Sequence, residues 1–427
     1  MTVVGTPSRG DLLPPTLSVQ CVAPSAERQE SLRLRPTALA LNLRILLLIV
    51  TFGLVFEIAC RVEDWVRFRT PLLSPFTSQT DLIALGPDGA HGRPNARYQK
   101  WVMNELGMRG PGADLRKALG TVRIVTAGAS ETFGLYESVS HEYPRQLEDS
   151  LTVAARALCA DNAPRVEVLN AALPGMSLPT VEQDIRLRIS KLQPDIISLY
   201  PTPVQYVDDR APVAMTPKTA RVPSLSLVRG LYPRAADRLW EQAKLLLPNF
   251  ISGRLRAYDI AKQEHRHPAG WKFESIPQYR LAQYESDLRR TVGSIRQVGA
   301  LPVLMTHANR FMAAAPRDPD LLTTWERIYP RATAATLVAF DSAAREVTLH
   351  VARDSGVTVV DLAAVVERKG ARAFQDYAHF SDLGAAWVAG ELRDAIGPWL
   401  YQTCPSTVRG RESPNLSRQR RAIAVAR

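Results

Sequence analysis

From residue 118 onward, apolar positions fall into two alternating patterns. Short runs rich in aliphatic residues occupy 122–127, 166–169, 195–200, 301–305 and 357–362, each the length of a buried strand. Between them, apolar residues recur every three or four positions. Residues 143–158 show this with Leu147, Leu151, Ala154, Ala155 and Leu158, and residues 181–192, 279–298, 334–355 and 382–400 follow suit. Strands alternating with helices predict a parallel sheet covered on both faces. The fold class is therefore α/β, a flavodoxin-like three-layer sandwich around a central five-stranded parallel sheet. Residues 206–276 interrupt the alternation with prolines, a helical piece at 235–247 and the aromatics Trp240, Tyr258 and Trp271. This insertion is either a lid over the carboxyl edge of the sheet or a packed excursion.

A different pattern precedes the domain. Residues 45–56 are uncharged and mostly aliphatic, and the segment 37–60 reaches the length of a membrane span at the cost of Arg44 and Glu57. Glu57 stands one helical turn before Arg61, where the two can pair, and Trp65 and Phe68 lie at an interface-like position. The reading is one N-terminal transmembrane helix, with a buried soluble helix as the alternative. Arg28, Arg33, Arg35 and Arg44 precede the run. Arg61, Arg67 and Arg69 follow it beside Glu63 and Asp64, so the bias puts the amino terminus inside and the large domain outside the cytoplasm. Residues 1–36 read as a disordered arm. Residues 61–115 read as a linker and lead-in with little periodicity, 116–400 as the α/β domain, and 401–427 as a basic tail.

Composition changes this picture little. The chain of 427 residues carries a net charge of +11. Much of it is local: Arg409, Arg411, Arg418, Arg420, Arg421 and Arg427 stand against Glu412 in the tail. No zinc-finger or RNA-binding motif accompanies the charge, so no nucleic-acid partner is expected. Of the four cysteines none forms a CxxC. Cys21 and Cys60 flank the apolar helix, and Cys159 and Cys404 are free to pair if the domain is extracytoplasmic. His265 and His267 lack spaced partners and read as solvated surface. No metal or other cofactor is called for.

Two polar segments carry the chemistry. Gly128-Ala129-Ser130-Glu131-Thr132 follows the first strand, and Asp376-Tyr377-Ala378-His379 precedes the last helix. A serine in a turn after a strand can be a nucleophile. An aspartate three residues before a histidine can orient a general base. In an open α/β sheet the ligand crevice lies beyond the carboxyl ends of the strands. Ser130 follows strand one, Gly175 strand two, Thr202 and Gln205 strand three, Thr306 and His307 strand four, and Asp376 and His379 strand five. All belong to one edge. Glu131 reads as a solvated acid of the first helical turn. For His307, contact with substrate and a satisfied buried ring both remain open.

These residues resemble the SGNH (GDSL-type) hydrolase superfamily, and more closely its membrane-anchored members that accompany bacterial exopolysaccharide genes. Asn104-Glu105-Leu106-Gly107-Met108-Arg109-Gly110 is similar to the lead-in of those proteins. Gly128–Thr132 stands at the first block, Asn170-Ala171-Ala172-Leu173-Pro174-Gly175 at the second, and Asp376-x-x-His379 matches the last. The resemblance implies a serine esterase or O-acyltransferase with Ser130, His379 and Asp376 as its triad. The backbone N–H groups of Ser130 and Gly175 would form the oxyanion hole, and the substrate would be an acylated saccharide or small ester. Two departures stand out. The first-block aspartate is Ala129, and the third-block oxyanion asparagine falls near Val204, with Thr202 and Gln205 as the stand-ins. A catalytically inactive glycan-binding or scaffolding module is the rival reading. A nucleotide-binding domain is a weaker one, since the glycine spacing and lysine of a phosphate loop are missing.

Overall fold

The computed structural model describes residues 38–159, 162–208, 230–246, 249–312 and 318–404. The chain divides into two units, residues 1–54 and 55–427. A continuous helix, α1 (Ala38–Phe68), crosses that boundary, and its stretch Leu41–Phe68 is long and apolar enough to span a membrane. It runs beyond the expected end at residue 60. The arm at 1–36 and the tail from 405 lie outside the described residues.

Two antiparallel hairpins open the second unit: β1 (Ile83–Gly86) with β2 (Gly89–Gly92), and β3 (Arg97–Tyr98) with β4 (Trp101–Val102). Strands of two to four residues are too short to show a period, which is why this segment carries so little periodicity in the sequence. The Asn104 carboxamide then closes the lead-in. Its Oδ1 accepts from the backbone N–H of Leu106 and Met108, and its Nδ2 donates to the carbonyl of Pro111.

The main sheet is built from β5 (Thr121–Gly128), β6 (Arg165–Asn170), β7 (Ile196–Tyr200), β8 (Leu301–Met305) and β9 (Thr358–Val360). All its pairings are parallel, in the spatial order β6-β5-β7-β8-β9. This is the doubly wound order expected from the sequence.

The strands are apolar on both faces because both are covered. Ile124, Val168 and Ile196 pack on one side with residues of α3 (Tyr143–Cys159) and α11 (Asp382–Thr403). Val125, Leu169 and Ile197 pack on the other with residues of α4 (Leu178–Leu187), α7 (Gln278–Gln297) and α9 (Ala334–Ser355). Helix α4 ends earlier than its apolar spacing implied, and a 3-10 turn at Ile189–Leu192 completes the segment.

Within the insertion, α5 (Arg234–Leu246) and α6 (Asn249–Glu264) are helical, while 209–229 lie outside the described residues. Three further helices, α2 (Ser130–Phe133), α8 (Pro319–Ile328) and α10 (Leu362–Lys369), complete the unit. A disulfide joins Cys159 at the end of α3 to Cys404 beyond α11, with the Cα atoms 5.4 Å apart.

Candidate active site

The strand β5 ends at Gly128, and Ser130 begins the four-residue helix α2. That turn is held from behind by the lead-in. The guanidinium of Arg109 donates to the carbonyls of Phe133 and Gly134 and pairs with Glu142 at 3.3 Å, all buried. Gly134 makes this approach possible. Its φ is +85°, and a Cβ there would meet Arg109 Nη1 at 2.5 Å. Asn170, at the end of β6, donates its Nδ2 to the carbonyl of Thr132 and accepts the N–H of Arg109 on its own carbonyl. The orphan carbonyls at the end of a one-turn helix thus find donors in two other segments.

Ser130 faces His379 directly, with 2.9 Å between Oγ and Nε2. The other ring nitrogen lies 2.8 Å from Asp376 Oδ2. Asp376 Oδ1 accepts the backbone N–H groups of Ala378 and His379, which ties the carboxyl to the turn that carries the imidazole. The ring of Tyr136 stands edge-on to His379, with centroids 5.1 Å apart. Burial pushes the His379 imidazole down, but the hydrogen bond to Asp376 and the charges of Glu131 and Asp376 outweigh it and hold its pKa above the ordinary value. The nearby Glu137 carboxyl is buried too, and desolvation lifts it to about 7 against the pull of its backbone contacts and Arg109.

Glu131 corrects the expectation of a solvated acid: it is buried. One oxygen, Oε2, lies 3.3 Å from Ser130 Oγ and 3.2 Å from Thr202 Oγ1. The other, Oε1, is 3.6 Å from His307 Nε2, an ion-pair distance rather than a hydrogen bond. His307 Nδ1 in turn lies 2.8 Å from Asp341 Oδ2, which also accepts Asn309 Nδ2 at 2.6 Å. Desolvation opposes both charges, yet their mutual attraction prevails. Glu131 is held at about 2, and Asp341 together with Glu131 raises His307 to about 10. A charged His307 therefore lies between two buried acids, one of which also reaches the Ser130 hydroxyl.

The remaining expected site residues divide. Gly175 adopts φ +81° in the turn after β6, and its N–H has no acceptor among the described residues. Gln205 Nε2 donates to the carbonyl of Met176 at 3.2 Å, beside that glycine, and keeps a second amide hydrogen. Val204 is buried in the core, so the position where the asparagine was sought points away from the crevice. The Thr202 hydroxyl is engaged by Glu131. Thr306 is buried, and its hydroxyl donates to Asp361 at 2.8 Å and accepts the N–H of Ala363, under α10. His307 is likewise buried, its ring given to Asp341 and Glu131.

No protein-family model and no curated protein matches this sequence. Among solved structures, a catalytic mutant of an acetylxylan esterase from Geobacillus stearothermophilus shares 14% identity. The match covers 65% of this chain and 94% of that one, with a TM-score of 0.36. A lipase/acylhydrolase from Enterococcus faecalis shares 14% identity over 65% of this chain and 96% of its own, also with a TM-score of 0.36.

Proposed function

We propose that the chain is a membrane-anchored serine esterase or O-acyltransferase of the SGNH type, acting through an acyl-enzyme outside the cytoplasm. The observation that carries this reading is the contact between Ser130 Oγ and His379 Nε2, with Asp376 on the far side of the ring. That contact supports Ser130 as nucleophile, His379 as base and Asp376 as the orienting carboxyl. Ser130 Oγ attacks the ester carbonyl carbon while His379 takes its proton. The tetrahedral oxyanion points at the backbone N–H groups of Ser130 and Gly175. Gln205, a primary amide one methylene longer than asparagine and one residue past Val204, is the third donor. His379 then gives its proton to the leaving alkoxide. Water or a sugar hydroxyl attacks the acyl-Ser130 and loses its proton to His379, which returns that proton to the departing Ser130 Oγ, releasing the acid or the transferred ester.

An acylated surface saccharide is the substrate suggested by the resemblance in the lead-in and last blocks. The Cys159–Cys404 disulfide supports the extracytoplasmic placement, because such bonds persist in oxidising compartments. The rival reading, a silent glycan-binding module, is favoured by one observation: Val204 is buried where the family's asparagine would donate. A fluorophosphonate probe separates the two. The enzyme labels at Ser130, loses labelling in Ser130→Ala, and turns over a small acetyl ester. A folded sample that neither labels nor hydrolyses the ester is the silent module. Acyl transfer to added oligosaccharide, measured against hydrolysis, distinguishes transferase from esterase.

A further inference from the structure

Residues 55–68 of α1 and the helix α5 pack with their polarity inverted. The contacts between them are charged. Asp64 Oδ2 pairs with Arg234 at 2.8 Å, Asp64 Oδ1 with Arg238 at 2.6 Å, and Glu63 with Arg238 at 3.0 Å. Glu57 Oε2 accepts the N–H of Ala235 at 2.8 Å, at the first turn of α5. Glu57 Oε1 also holds Arg61, whose guanidinium donates to the carbonyls of Leu72, Gly230 and Tyr232. One side chain thereby gathers the loop after α1 and the start of α5 into a collar.

The outward faces are apolar. On α1 they carry Val55, Ile58, Val62, Trp65 and Val66, all exposed. On α5, Ala236, Leu239, Trp240, Ala243 and Leu246 recur at helical spacing and are exposed, with Leu246 at 83%. Leu73 and Leu231 on the collar add 68% and 69% exposed side chains.

A helix pair in water buries its apolar stripe and exposes its charges. Here the ion pairs lie within and the leucines face out, which suits a surrounding of acyl chains rather than water. We propose that α5 and the collar are a second membrane contact, seated in the headgroup and acyl boundary of the bilayer beside the span. The protein would then hold to the lipid by one span and one interfacial helix. This rests on the reading of α1 as a span.

The test uses the full chain, with Cys21 and Cys60 replaced by alanine, in phosphatidylcholine–phosphatidylglycerol vesicles. An environment-sensitive fluorophore is attached in turn to Leu239→Cys, Leu246→Cys, Leu48→Cys on α1, and Val153→Cys, a 68% exposed position on α3. Lipids carry a doxyl quencher either near the headgroup or near the chain end. The expected result is a blue shift at Leu239 and Leu246 with quenching strongest from the shallow doxyl, deep quenching at Leu48, and none at Val153. If Leu48 is quenched and the α5 positions stay water-like, the interfacial helix is overturned and the span stands. If α5 is quenched and Leu48 is not, the interfacial helix stands and the span falls. If neither is quenched, both fall. Energy transfer between labels on different copies at Leu239, without lipid quenching, assigns the face to a second copy and overturns the proposal. Two labelled positions on exposed side chains guard against one variant failing to fold.

Discussion

Glu131 Oε1 lies 3.6 Å from His307 Nε2, while the same carboxylate reaches the hydroxyl of Ser130 with its other oxygen. The serine has one proton and two acceptors, Glu131 and His379. When His379 is charged, both its ring nitrogens donate, and the serine proton turns to Glu131. When His379 is neutral, its Nε2 accepts that proton and the attack is set up. The anion beside the serine therefore favours the imidazolium, both at rest and as it forms in the reaction.

The first prediction concerns pH. The base must be neutral, so kcat/KM should rise with pH, with its midpoint above the ordinary histidine value of 6.5 because the His379 pKa is raised. Glu131→Gln removes a charge that raises it. The midpoint should move down, and kcat should fall because the imidazolium loses a counter-ion. An unchanged midpoint in this variant would remove Glu131 from the proton economy of the site.

Stability should follow the same buried charges. His307 is raised from 6.5 to about 10, so its contribution is complete below pH 6.5 and is lost as pH climbs through 10. Glu131 is lowered from 4.5 to about 2, so its contribution is present above pH 4.5 and is lost as pH falls through 2. Together they place a stability plateau between pH 4.5 and 6.5. His307→Gln strips the Glu131 charge of its buried counter-ion and should cost roughly 3–5 kcal/mol in urea denaturation at neutral pH. The alkaline decline attributable to His307 should disappear with it.

Gln205 offers a test of the oxyanion hole. If its spare amide hydrogen meets the oxyanion, Gln205→Ala should lower kcat on the order of a hundredfold with little change in KM. A variant that changes KM alone would make Gln205 a substrate contact.

Arg109 shapes the nucleophile without touching it. Arg109→Lys keeps the charge but loses the planar fork that serves Phe133, Gly134 and Glu142. Fluorophosphonate labelling of Ser130 should slow by roughly tenfold or more, as small displacements of a reacting group do. The pH midpoint should stay where it is, since Arg109 is not among the main charges acting on His379.

Much of the fold was legible because the five strands are short runs rich in aliphatic residues and the long helices space their apolar residues at helical intervals. The positions of Ser130, Asp376 and His379 at one edge followed from strand order alone. Glu131 was not legible. An acid after a serine at a helix start is ordinarily solvated, and its partner His307 follows β8, held in turn by Asp341 on α9, far along the chain. Val204 shows the converse. Counting residues from β7 placed the third donor there, but a 3-10 turn at Pro203–Val207 turns that side chain into the core. The hairpins β1 to β4 and the clasp of Arg109 on α2 depend on tertiary contacts that no local period encodes.

The disulfide between Cys159 and Cys404 closes a covalent ring that contains Asp376 and His379 but leaves Ser130 outside, on the strand of chain that leads to α1. The proposed base and nucleophile thus belong to different parts of one lasso. A single proteolytic cut anywhere between the two cysteines opens the ring without releasing a fragment. The cleaved molecule should migrate as one band without reductant and as two with it. Both pieces of a nicked molecule would stay joined to α1.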